Sequence, residues 1–87
     1  MTVRNLESSR GNLIPNQFAI RTDGITYFQS YDSIIVKIEP DGQIYLDEYY
    51  WDYSKTTSKY RNIFLGNTRK DCLDNIKSGV YKLKNLN

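Results

Sequence analysis

The chain has no histidine, one cysteine and two prolines among 87 residues. Each scarcity closes off a chemistry. A single cysteine, Cys72, cannot form an internal disulfide, so no covalent staple holds the fold. With no histidine beside it, that cysteine cannot complete a structural zinc site. The five glycines form no phosphate-cradling loop. Long apolar runs are missing as well: Met1 to Gln17 does not read as a signal peptide, and no stretch would span a bilayer. The expectation is a cytoplasmic protein that is not an enzyme, with no metal, no cofactor and no membrane partner.

What is present suits one small domain. At this length about 60–65% of the unfolded surface is buried on folding, so the core is thin and stability falls near about 5–8 kcal/mol. Apolar residues make up 39% of the chain, with eight Tyr, three Phe and one Trp among them. Large rings bury much area per residue and close a small core with few side chains. The charges are polarised. Residues 1–54 carry four basic and eight acidic side chains, whereas residues 55–87 carry eight basic and two acidic. Such halves either attract each other or present a patch to a charged partner.

Residues 1–16 are polar and broken by Gly11 and Pro15, which predicts a mostly irregular arm with room for a short edge strand near Thr2 to Leu6. Residues 17–87 read as a single α+β domain: a four- or five-stranded antiparallel meander with two short helices on one face. Asp23-Gly24 between alternating runs is a hairpin signal that places Thr22 opposite Ile25, Ile20 opposite Tyr27 and Phe18 opposite Gln29. Pro40-Asp41-Gly42 makes another turn. Strands are expected near 17–22, 25–30, 34–39 and 43–48, with Val80 to Leu86 as a last strand or an extended tail. Helices are expected near 55–65, capped by Ser54 or Asp52 and ended by Gly66, and near 69–78, opened by a Thr68–Asp71 capping box. The predicted core is Ile20, Ile34, Val36, Ile44, Leu46, Tyr60, Phe64, Leu73 and Ile76. Tyr27 and Phe28 compete for the inner face, since a one-residue slip exchanges them.

Tyr45 to Tyr53 is the most unusual segment, with five of the twelve aromatics interleaved with Asp47, Glu48 and Asp52. Neighbouring side chains diverge in any regular conformation, so not all of these rings point inward. Asp47, Glu48, Tyr49, Tyr50, Asp52 and Tyr53 are therefore candidates for an acidic, aromatic contact surface, because Tyr and Trp concentrate at binding hot spots. The plain alternative is that the rings seal the core where sheet meets helix. The same three carboxylates are the only acid–base or cation-binding candidates, and their spacing fits no known cage. Cys72 sits in an apolar helical face and reads as a small core residue. Lys55, Lys59, Arg61, Arg69 and Lys70, with Lys77, Lys82 and Lys84, define a second candidate surface, basic and suited to phosphate contact. The bland reading of such a face is solvation.

Tyr27-Phe28-Gln29-Ser30-Tyr31-Asp32-Ser33-Ile34-Ile35, Trp51-Asp52-Tyr53-Ser54-Lys55-Thr56-Thr57-Ser58-Lys59-Tyr60 and Phe64-Leu65 resemble a family of small proteins of unknown function from bacteriophages and mobile elements. Its pattern is FxSYxTxIA, then WDYSxTTxKY, then FL; Ser33 and Ile35 depart from it, and the likeness spans roughly residues 17–79. The resemblance implies a phage or mobile-element origin and carries no activity. By analogy with small phage proteins, it implies a stoichiometric inhibitor or modulator of a host protein, an anti-restriction or anti-CRISPR factor for example. The alternatives are a small nucleic-acid-binding protein using the basic surface, and a homo-oligomeric accessory protein joined through a sheet edge or its tyrosines.

Overall fold

Turn chemistry lays out the sheet. A computed structural model describes all 87 residues, Met1 to Asn87. Asp23 and Gly24 both take positive φ, at 52° and 79°, as a two-residue hairpin turn of this hand requires. That turn joins β2 (Leu13–Thr22) to β3 (Ile25–Ser30), and the register is the expected one: Thr22 opposite Ile25, Ile20 opposite Tyr27, Phe18 opposite Gln29. The turn between β4 (Ser33–Ile38) and β5 (Ile44–Asp47) is closed by Gly42 N–H donating to Glu39 C=O at 2.9 Å.

The sheet is larger than four strands and not wholly antiparallel. The short edge strand expected near Thr2 to Leu6 is present as β1 (Thr2–Glu7), but the rest of residues 1–16 is not irregular: β2 begins at Leu13 and pairs with β1 from Leu13 to Arg21. The breaker Gly11 belongs to the loop between them, where its N–H donates to Ser8 C=O at 2.9 Å. A sixth strand, β6 (Tyr81–Lys84), returns after both helices and lies parallel to β5. The strand order is β1-β2-β3-β4-β5-β6, six strands in a mixed sheet.

Both helices fall where their caps predict, α1 at Lys55–Leu65 and α2 at Arg69–Ser78. Ser54 Oγ accepts from Thr57 N–H, and Gly66 ends α1 in the left-handed conformation. Thr68 and Asp71 complete a reciprocal capping box on α2.

The helices cover one sheet face, with α1 against β3 and α2 against β6. Beneath them lie Phe28, Ile35, Val36, Leu46, Cys72 and Tyr81, flanked by partly buried Tyr60, Phe64, Leu65 and Ile76. The Phe28 and Phe64 rings stack with centroids 5.4 Å apart. Phe28 takes the inner face, so its cross-strand neighbours Ala19 and Val36 do too, and Ile20 turns with Tyr27 to the other side. Ile34 is displaced for a different reason. A bulge opposite Phe28 and Gln29 makes Ile35 an extra residue, and both Ile35 and Val36 become buried while Ile34 turns out. Leu73 lies outside the core cluster; Cys72, one residue earlier, holds the fully buried place on α2.

Candidate functional site

The segment after β5 is organised by the carboxylate of Asp47. This side chain is buried. Its Oδ2 accepts the backbone N–H groups of Tyr49 and Tyr50 at 3.0 and 2.8 Å. Its Oδ1 accepts Leu86 N–H at 2.8 Å and Asn87 Nδ2 at 3.0 Å. Burial alone would raise the carboxyl pKa; the donors from Leu86, Tyr50, Tyr49 and Asn87 outweigh it and hold Asp47 below its ordinary range. Asp47 is thus no part of a contact surface. It bends residues 48–53 back over the sheet and ties down the C-terminal tail.

Asp52 is used in the same way. It accepts Ser58 Oγ at 2.7 Å and Arg69 Nε at 2.7 Å, with Arg61 Nη1 at 3.4 Å. Desolvation pushes its pKa up, but the Ser58 and Arg69 hydrogen bonds and the arginine charges prevail and lower it. Arg61, expected on a basic outer face, is fully buried. Its guanidinium donates to Trp51 C=O, Ser58 Oγ and Asn62 Oδ1, and lies 5.1 Å from the centre of the Trp51 ring. The α1 stripe runs Thr57, Tyr60, Arg61, Phe64, with Ile63 half exposed outside it. Position 61 is four residues after Thr57 and three before Phe64, a core-facing spacing that its charge disguised. Burial pushes the Cys72 thiol pKa up, with Arg61 pulling the other way.

Three tyrosines remain around this frame. Tyr49, Tyr50 and Tyr53 pack ring to ring, with centroids 4.7 Å apart for Tyr49–Tyr50, 5.3 Å for Tyr50–Tyr53 and 6.0 Å for Tyr49–Tyr53. Tyr50 reaches the core and anchors the group. Tyr49 and Tyr53 stay 69% and 63% exposed. Beside them lies a cleft of about 310 Å³ between the β3–β4 turn, residues 30–33, and Tyr50, Tyr53, Ser54 and Thr57. Its floor includes Ser30 Oγ and Thr57 Oγ1, 3.2 Å apart and buried. The far wall carries Tyr31, 55% exposed.

Tyr31 was not singled out by the sequence reading. It takes φ 56° in a tight two-residue turn, a place where a bulky side chain costs roughly 1–2 kcal/mol over glycine. Its N–H donates to Asn16 C=O at 2.7 Å and its C=O accepts Gln29 Nε2 at 2.6 Å, which hold the strained conformation. The available signal was Ser30-Tyr-Asp-Ser33 between two strands without a glycine.

The six acidic and aromatic candidates thus divide. Glu48, Tyr49 and Tyr53 face solvent, Tyr50 anchors, and Asp47 and Asp52 are consumed by the fold. No three carboxylates or thiols converge as metal ligands. The basic candidates divide as well. Lys55 and Lys59 are exposed, with Lys59 Nζ 5.2 Å from the Tyr60 ring centre. Arg69 pairs with Asp52, and Lys70 pairs with Asp74 at 2.9 Å along α2. No helix is long and apolar enough to cross a membrane.

Fold and site together define a small α+β domain: a mixed six-stranded sheet, two helices on one face, and a tyrosine cluster beside a shallow cleft. The chain belongs to a family of unknown function, DUF8033, whose model matches residues 1–79. No curated protein and no solved structure matches it.

Proposed function

We propose that this protein works by binding another protein, with Tyr31, Tyr49 and Tyr53 as the contact residues around the cleft. The observation that carries the reading is the exposure of Tyr49 and Tyr53 while a third ring, Tyr50, fixes them in place. Pre-packed tyrosines offer large rigid area at little entropic cost, with hydroxyls at the rim. Strain held at Tyr31 fits a side chain placed for contact, since such outliers concentrate at functional positions. Exposed Asp32 and Glu48 border the cluster, so a basic or neutral partner surface suits it. The finer form of the proposal is a stoichiometric inhibitor or modulator of a host protein, an anti-defence factor acting in the host cytoplasm. That form leans on the phage-like sequence pattern alone.

The test compares affinity capture from host lysate by the parent and by Tyr49→Ala/Tyr53→Ala, followed by titration calorimetry on the captured protein. The expected result is one partner in stoichiometric amount, lost by the double variant and kept by Lys55→Ala/Lys59→Ala. Equal capture by the tyrosine variant, or no stoichiometric partner, overturns the reading. A parent that light scattering shows to be a dimer, and a double variant that is a monomer, would make the partner a second copy.

A further inference from the structure

The sheet face opposite the helices carries a row with its own chemistry. Register aligns Tyr27 with Lys37, Lys37 with Tyr45 and Tyr45 with Lys82, across β3, β4, β5 and β6. Aromatic and cationic side chains therefore alternate along one line, and Ile20 extends it onto β2. Lys84, two residues beyond Lys82 and on the same side, brings its Nζ to 5.4 Å from the Tyr45 ring centre, and Lys37 Nζ reaches 6.0 Å. Two ammonium groups thus flank one ring. Lys82 and Lys84 are exposed and enter none of the ion pairs of the molecule. The nearby acids do not neutralise them. Glu39 is paired with Lys37 at 3.3 Å, and the Asp47 carboxylate is buried among its own donors.

We propose that this open face binds single-stranded nucleic acid, with bases stacked on Tyr45 and Tyr27 and phosphates paired to Lys82 and Lys84. Every base has a π-face, so stacking on such a platform tolerates any sequence. Two strand separations place Tyr27 and Tyr45 about 10 Å apart, with Lys37 between them. The lysines above Tyr45 are flexible and can swing from ring to phosphate as a base arrives. A protein partner fits this row poorly, because interface centres are depleted in lysine and here lysine occupies every second place. A duplex fits poorly too, since its bases are stacked on one another and their faces are closed to Tyr27 and Tyr45. The inference is independent of the tyrosine cluster, which lies at the other side of Tyr45 along the chain and uses different rings.

The test is fluorescence anisotropy of labelled oligothymidylate and oligouridylate, about 16 nucleotides long, from low to physiological salt. The expected affinity falls with salt, with a log–log slope of about −1.4 for two phosphate contacts. Lys82→Gln/Lys84→Gln should remove most of that slope. Tyr27→Leu/Tyr45→Leu keeps apolar area but removes the rings, and should weaken binding at least about tenfold, while Tyr45→Phe retains it. Circular dichroism and melting of each variant separate lost stacking from lost folding. Lys55→Gln/Lys59→Gln, on the helical face, should leave binding unchanged. No binding at low salt, a tighter complex with duplex, unchanged affinity in the double Leu variant, or loss on changing Lys55 and Lys59 overturns the proposal. So does a protein partner captured through Tyr27 and Tyr45 when no oligonucleotide binds.

Discussion

Between Leu13 and Asp47 the chain is held by strands whose partners lie a few residues away. From Asp47 to Arg69 it is held by a few polar side chains whose partners sit on other elements. Each hairpin in the first region is specified by its own turn, and pairing repeats along every strand, so no single side chain carries it. In the second region three charged groups supply most of the side-chain hydrogen bonds between elements. Asp47 anchors the loop and the C-terminal tail; Asp52 and Arg61 join that loop to both helices. Distributed pairing tolerates substitution, whereas a concentrated buried hub fails when one member is removed, because its partners are left desolvated without compensation.

Arg61→Ala should expose the contrast most sharply. Removing one partner of a buried charged set costs about 3–5 kcal/mol, close to the stability expected of so small a domain. Urea denaturation should find the variant largely unfolded, and Arg61→Lys should not rescue it, since a single ammonium nitrogen cannot span the acceptors that Nη1 and Nη2 serve from separate positions. A melting temperature within a few degrees of the parent would show that the hub is not where stability is concentrated. Phe64→Ala follows at about 3 kcal/mol, at the low end for phenylalanine because the ring is only partly buried against Phe28. A near-neutral result would mean that α1 docks through Arg61 and Tyr60 alone.

Asp47→Asn should cost about 2 kcal/mol, because an amide nitrogen replaces one acceptor and faces backbone donors. The pH dependence carries the same information. Folding lowers the pKa of both Asp47 and Asp52, so each stabilises the fold above the unfolded value near 4, and that stability is lost as pH falls through the lower folded values. Thermal melts should therefore be flat from neutral pH down to about 4 and decline below it. The decline should be shallower in Asp47→Asn; an identical acid profile would remove Asp47 from the account. The smallest effect belongs to the hairpin region. Tyr31→Gly relieves the left-handed strain and should raise stability by up to about 1 kcal/mol, less the extra chain entropy of glycine, while weakening the protein partner's binding. A clearly destabilised Tyr31→Gly would show that the ring supports the fold instead of the contact.

The same contrast decides how much was legible in the sequence. Turns and caps act through neighbours in the chain, so Asp23-Gly24, Pro40 to Gly42, Ser54, Thr68 and Gly66 announced themselves, and the β2–β3 register and both helices followed. Alternation alone misplaced Ile34, because a bulge has no signature in a run of β-branched residues. The irregular arm was a misreading of Gly11, which punctuates a hairpin and does not break order. Charge misled most. Asp47, Asp52 and Arg61 read as surface because single charged residues usually are; their partners, Leu86 and Asn87 for Asp47, Arg69 for Asp52 and the Trp51 carbonyl for Arg61, meet them only in the folded chain. Divergence of consecutive side chains implies that some of the rings at 49–53 point out, but not which: Tyr49 and Tyr53 do, whereas Tyr50, a candidate on the same footing, packs on the core. The alternating row on the open face was invisible until register aligned four strands.

The strand order has a kinetic corollary. Strands β1 to β5 follow one another in sequence and in space, so each pairing closes a short loop at small entropic cost and the meander can zip outward from any hairpin. Strand β6 differs, since it can pair with β5 only after the chain from Asp47 to Tyr81 has come back, with both helices in between. Contact order therefore predicts that β6 pairs last, after the meander has formed. Tyr81→Leu, at the one buried residue of β6, should leave the refolding rate nearly unchanged and speed unfolding, whereas a slowed refolding limb would place β6 in the nucleus. A strand that pairs last can also be released without opening the meander, and with it Lys82 and Lys84 would leave the sheet while β1 to β5 stay paired.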